Sequence, residues 1–189
     1  MTRLVMFDYD PSWPKLYEDE AKALMDIWRE VALSIHHIGS TSVPRLRAKP
    51  IIDIMIVIKT GTVITDYDMP MSELGYRCRG ECLDRGGTPG RYYYSKDTDG
   101  LRTHQVHVLH VGHYDIDNKI NFRDYLRSHP DKAAEYGLLK SNLVEVNPDG
   151  IMEYIQAKEP FIHNCLKLAK EWRNAEQGGQ PDAFGAGYL

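Results

Sequence analysis

An α+β fold is what the sequence predicts: a mixed central sheet with flanking helices, followed by a C-terminal helical section. Three observations lead there. An amphipathic helical pattern comes early, in WPKLYEDEAKALMDIWREV. A mostly β-branched run with a single acid, IIDIMIVI, reads as a buried central strand over 51–58, and short alternating segments follow it. After Tyr114 the chain changes character, and from Phe122 the pattern is mainly helical.

Taken in order, residues 4–7 (LVMF) read as a short edge strand. Ser12 is placed to cap a helix over about 14–32, with Pro14 in its first turn. Leu16, Ala23, Leu24, Ile27, Trp28 and Val31 recur at helical spacing and define its buried stripe. Residues 34–38 form a strand running into GSTSVPRLRAKP, a turn of small hydroxylic residues, prolines and cations. After the central strand, a short helix is expected over 62–74, ending at Gly75. YRCRGECL, RYYYSK and THQVHVLHV read as antiparallel strands, with Asp99-Gly100 as a hairpin turn between the last two. FRDYLRSHPDKAAEYGLLKSNLVEV reads as a helix pair, or one helix broken at His129-Pro130, and a final helix covers about 150–175. The expected organisation is a core over 1–115, a helical section over 116–175 packed on it, and a Gly-rich tail over 176–189.

Composition narrows the function. With 189 residues the chain is long enough to bury a full core without staples. A net charge of −4 argues against a partner such as long nucleic acid, while leaving room for a local basic pocket. Cys78, Cys82 and Cys165 are too few and too irregular for a disulfide framework or a zinc ribbon, so they read as free thiols. The acidic start and the lack of a long apolar run predict a cytoplasmic protein with no membrane partner.

The chemistry concentrates in HHIGSTS and KPIIDI. A Gly39-Ser40 turn at a strand end lets backbone N–H groups and hydroxyls, including those of Thr41 and Ser42, approach a phosphate. An acid in mid-strand is costly unless paired or metal-bound. Asp53, on the neighbouring strand, is placed to hold Mg²⁺ against that phosphate.

HIGSTSVPRLRAKPIIDI closely resembles the signature of the GrpB-like family. HQVHV, FRDYLRSHPDKAAEYGLLK, YIQAKEPFI and DPSWPKLYEDE resemble its other elements, in order, over roughly residues 5–170. The resemblance implies a fold of the polymerase-β-type nucleotidyltransferases, whose pattern is Gly-Ser, a spacer, then acids on the next strand. It also implies a loose link to coenzyme A biosynthesis, since members occur fused to kinases of that route. One departure matters: where active members usually carry a second acid, this chain has Met55, which cannot bind Mg²⁺.

On the hairpin strand, period two puts Gln105, His107 and Leu109 on one face and His104, Val106, Val108 and His110 on the other. His107 is the candidate metal ligand or general base; imidazole suits Mn²⁺ better than Mg²⁺. Arg123 and Arg127, one helical turn apart, together with Lys49, Lys140 and Lys158, are candidates to surround a triphosphate. His37 reads as a brace for the turn, and Tyr92–Tyr94 as a core stripe with Tyr93 facing the other way.

Three functions stay open on the sequence. The first is a nucleotidyltransferase that binds NTP with Mg²⁺ or Mn²⁺ and acts on a small-molecule or protein acceptor. The second is a catalytically degenerate module that binds a nucleotide or phosphometabolite, which Met55 favours. The third is a metal-dependent enzyme of another class that uses the His104/His107/His110 strand together with Asp53.

Overall fold

The computed structural model describes residues 5–176 apart from Gly86. It is an α+β fold with a mixed five-stranded sheet and five α-helices. The first helix, α1 (Trp13–Trp28), buries Trp13, Ala21, Leu24 and Trp28 on one stripe. Ser12 does not cap it with its side chain; its N–H is instead held by Asp10 Oδ1 at 2.8 Å. The helix stops before the expected residue 32 because Ala32 already pairs with Ile58 in the sheet.

The strands are β1 (Ala32–Ile38), β2 (Ile52–Ile58), β3 (Tyr76–Gly80), β4 (Arg91–Thr98) and β5 (Leu101–His110). Their order across the sheet is β1-β2-β5-β4-β3, with β2 and β5 parallel and every other pair antiparallel. The β4–β5 hairpin turns at Asp99 and Gly100, both at positive φ (52° and 76°), as a two-residue primed turn requires. The expected helix over 62–74 is a single 3-10 turn (Ile64–Tyr67) followed by the short α2 (Asp68–Glu73). The expected strand at 4–7 reduces to one bridge, Phe7 with Ala48; Leu4 lies outside the described residues.

Strand alternation sorts the core. Ile52, Ile54, Ile56, Ile58, Val106, Val108 and Tyr94 face α1 and α2 and pack on Leu24, Trp28 and Met71. Met55, Val57 and Leu109 point the other way, under Ile116 and Ile120 of α3 (Tyr114–Ser128). Asp53 shares their parity, so it faces the C-terminal helices.

Pro130 divides the next helical stretch, with His129 held extended ahead of it (φ −125°, ψ 80°). α4 (Pro130–Val146) and α5 (Ile151–Glu176) complete the layer. Tyr125, Leu126, Tyr136, Cys165 and Ala169 form its own core and receive Val43 and Leu46 from the loop after β1. That loop is therefore clamped between sheet and helices. Residues 177–189, most of the expected tail, lie outside the described residues. Among the described residues, no helix is long and apolar enough to cross a membrane.

Candidate functional site

β1 ends at Ile38, directly opposite Asp53. The next residue, Gly39, has φ 68° and ψ −174°. A Cβ built there would stand 2.8 Å from Asp53 Cβ and Cγ and would overlap Oδ2. Glycine is thus required twice, by its backbone angle and by the carboxylate lying against its Cα. Ser40–Ser42 make one 3-10 turn.

The hydroxyls of this turn divide. Ser40 Oγ accepts from Lys140 Nζ at 2.9 Å and keeps its own hydrogen to donate. Thr41 Oγ1 donates to the Ile51 carbonyl (3.0 Å), and Ser42 Oγ donates to the Gly39 carbonyl (2.6 Å); both residues are buried. Thr41 and Ser42, expected as phosphate donors, therefore shape the turn, because the Ile51 and Gly39 carbonyls take their hydroxyl hydrogens. His37 braces it from below. Its Nε2 lies 3.1 Å from Thr41 Oγ1 and its ring stacks on Tyr17 at 4.7 Å. Burial, then the charges of Arg127 and Arg123, lower its pKa to about 4, which keeps the ring neutral.

Around Asp53 the charge balance is lopsided. Burial pushes its pKa up to about 6, against the pull of Lys119, Lys158, Lys49 and Lys140. The lysines are perturbed in turn. Burial, then repulsion from Lys158 and Lys49, lowers Lys140 to about 7. Burial and Lys49 lower Lys158 to about 8. Lys49 and Lys119 are lowered as well, chiefly by burial. Lys49 and Lys158 share one aromatic platform, with Nζ atoms 4.8 Å and 4.1 Å from the Tyr154 ring centroid. Four ammonium groups thus converge on one carboxylate, and buried charge of one sign is costly until an anion compensates it.

The expected cations do not all belong to this cluster. Arg123 donates to the His37 carbonyl (3.1 Å) and pairs with Asp124, and Arg127 donates to the Ser42 carbonyl (2.9 Å). Both guanidiniums hold the backbone of β1 and its turn. Lys140 is almost fully buried and also donates to the Arg47 carbonyl (2.6 Å), so it anchors Ser40 from beneath.

The chain as a whole has counterparts among known proteins. The family model described as GrpB protein matches residues 3–168. The chain belongs to the GrpB family. It is 38% identical over 165 residues to UPF0157 protein YqkA of Bacillus subtilis (strain 168), covering 87% of this chain and 47% of that protein. It is 33% identical over 166 residues to UPF0157 protein BH1888 of Halalkalibacterium halodurans, covering 88% and 82%. Among solved structures, the conserved protein GrpB from Enterococcus faecalis superposes with a TM-score of 0.77 at 38% identity, covering 89% of this chain and 99% of that one. The GrpB family is nucleotidyltransferase-like, which accounts for the placing of Gly39-Ser40 against Asp53.

Within this GrpB-family scaffold, two site residues escape the sequence reading. Lys119 lies four residues before Arg123, on the same helix face, but the helix was expected to begin only near Phe122. Tyr154 opens the YIQAKEPFI element one helical turn before Lys158, but its role as a shared platform exists only once Lys49 arrives from the β1–β2 loop.

The histidines of β5 separate by parity. His104 sits near Glu20 of α1 (3.9 Å) and His110 bonds the Thr62 carbonyl (3.0 Å), both across the sheet from His107. A metal site built on all three is therefore ruled out by geometry. His107 pairs with Met55 in register, two residues along from the Asp53–Gln105 pair and on the same face, and burial holds its pKa well below the usual value. Among the described residues no three His, Cys, Asp or Glu gather. The donor set at Asp53 is one carboxylate. It fits a Mg²⁺ whose other ligands are water and phosphate oxygens, and it does not supply the bridging carboxylates of a two-metal centre.

Proposed function

We propose that this protein binds a nucleoside triphosphate by its phosphates in the lysine pocket and transfers the nucleotidyl group to a small-molecule or protein acceptor. The observation that carries the reading is the convergence of Lys49, Lys119, Lys140 and Lys158 on Asp53 beside the Gly39-Ser40 turn. A triphosphate supplies the negative charge those ammonium groups lack. Ser40, fixed by Lys140, donates to a phosphate oxygen. Asp53 serves as the one protein ligand to the Mg²⁺ or Mn²⁺ that accompanies the phosphates and supplies charge neutralisation.

In the step itself, an acceptor oxygen or nitrogen bonds to the α-phosphorus, the α–β bridging bond breaks and pyrophosphate leaves. We assign to His107, two residues along the parallel strand pair from the Asp53–Gln105 pair, the role of taking the acceptor's proton. Positioning and electrostatics account for most of the acceleration.

Met55, fully buried where a second acid usually stands, favours a second reading: a module that binds nucleotide without turnover. Thermal shift with ATP, GTP, CTP and UTP, with and without Mg²⁺ or Mn²⁺, tests binding; at 100-fold over the dissociation constant the gain is about 2.7 kcal/mol. A metal-dependent shift lost in Asp53→Asn, with pyrophosphate released, supports transfer. Binding without pyrophosphate supports the module. No shift with any nucleotide overturns both.

A further inference from the structure

On the face of the sheet that carries Asp53 lies a cavity of about 390 Å³. Its walls include Arg79, Arg91 and Arg102, with Glu81 as the acid among them. Tyr93, Gln105 and His107 form its floor, and Ile155 closes it from α5. Its position is fixed relative to Asp53 by several observations. Gln105 is the register partner of Asp53 across the parallel β2–β5 pair. The Asp53 charge reaches the Tyr93 hydroxyl, and Lys119 acts on both Asp53 and His107. Ile155 follows Tyr154, the platform of the lysine pocket.

We propose that this cavity is a second subsite, for a small anionic molecule carrying a carboxylate or a phosphate monoester, which is the acceptor class of the site. The inference rests on reading the lysine pocket as the phosphate subsite. Three guanidiniums are already oriented there. Arg79 Nε donates to Ser95 Oγ (2.9 Å), Arg91 Nη1 to Asp115 Oδ2 (3.0 Å), and Arg102 Nη1 to the Tyr93 hydroxyl (2.7 Å), with Arg102 Nε on Asp97. A guanidinium carries five N–H donors, so each keeps further ones for an incoming anion. The Tyr93 and His107 rings stack at 5.4 Å and offer a flat, weakly polar floor, with aliphatic Ile155 opposite. His107 Nδ1 is buried with no hydrogen-bond partner among the described residues, an unsatisfied polar atom in a residue that lines the cavity. The volume lies in the range of small-molecule sites. An anionic group on the arginines leaves the other end of the molecule at Gln105 and Asp53, where transfer takes place.

The test is a titration of the full chain, followed by NMR of the His107 ring and the arginine Nε–H groups. Phenyl phosphate and isophthalate are the anionic probes and benzamide the neutral one, each with and without saturating tripolyphosphate. The expected result is saturable shifts at His107 and Arg102 with an anionic probe, persisting when tripolyphosphate fills the lysine pocket. Arg79→Gln and Arg102→Gln should each weaken the probe at least fivefold, and Lys158→Gln should leave it within twofold. The stronger of the two anionic probes identifies phosphate or carboxylate. Shifts confined to the lysine pocket, or benzamide binding as well as the anions, overturn the proposal. Failure of tripolyphosphate itself to bind is read separately and counts against the phosphate subsite alone.

Discussion

Gly39 and Asp53 are in contact through the glycine Cα, so closely that a side chain at 39 would occupy the space of the carboxylate. The contact couples the turn to the acid, since neither can move without the other. It follows from the sheet register, which places Ile38 opposite Asp53 and sends the chain over it at the next residue.

Gly39→Ala combines a positive φ with that overlap. The expected loss in unfolding free energy is about 3 kcal/mol. Urea denaturation measures it, and a loss under about 0.5 kcal/mol contradicts the close approach.

Asp53→Asn should stabilise the ligand-free protein in a pH-dependent way. Burial raises the folded pKa from 3.8 to about 6, so the folded chain holds this proton more tightly than the unfolded one. The stability tied to the group is complete below about pH 4 and declines as pH rises through about 6. The variant escapes that decline. Its gain should reach at most about 3 kcal/mol at pH 8 and nearly vanish at pH 4. Equal effects at both pH values would count against a raised carboxyl pKa.

Tripolyphosphate binding should take up protons. Lys140 and Lys158 lose theirs near pH 7 and 8 in the empty pocket, and an anion restores them. Affinity is expected to fall about tenfold or more from pH 7 to pH 9. Calorimetry in two buffers of different ionisation enthalpy checks it. Heats that do not depend on the buffer at pH 8 refute the lysine pocket as the anion site.

Arg127 and Lys119 should separate structure from binding. Arg127→Gln removes a charged donor from the Ser42 carbonyl and is expected to lower stability by about 2 kcal/mol. Its effect on tripolyphosphate affinity should stay within about twofold, whereas Lys119→Gln is expected to weaken binding about tenfold with a smaller change in stability. The reverse pattern would falsify the assignment of roles.

Much of the site was legible because it is local. Gly39, Ser40 and Asp53 stand out by residue type and spacing, and the period of two already divided His107 from His104 and His110. Direction was less accessible. The residue types of Thr41 and Ser42 suit a phosphate, yet their rotamers turn inward because carbonyls of Ile51 and Gly39 lie within reach. Arg123 and Arg127 were correctly placed on one helix face, but the partner of that face depends on how α3 crosses β1.

The sequence by itself determined the order of the main strands and helices, the buried stripe of α1, the central strand carrying Asp53, and membership in the GrpB family. These follow from periodicity and from motif order, which are properties of neighbouring residues. Only the tertiary structure decided the sheet order β1-β2-β5-β4-β3, the four lysines brought to one carboxylate, and the arginine-lined cavity beside it. Lys49, Lys119, Lys140 and Lys158 come from one loop and three separate helices. Their shared field exists only because packing α3, α4 and α5 on the sheet brings the loop and the three helices to the same carboxylate.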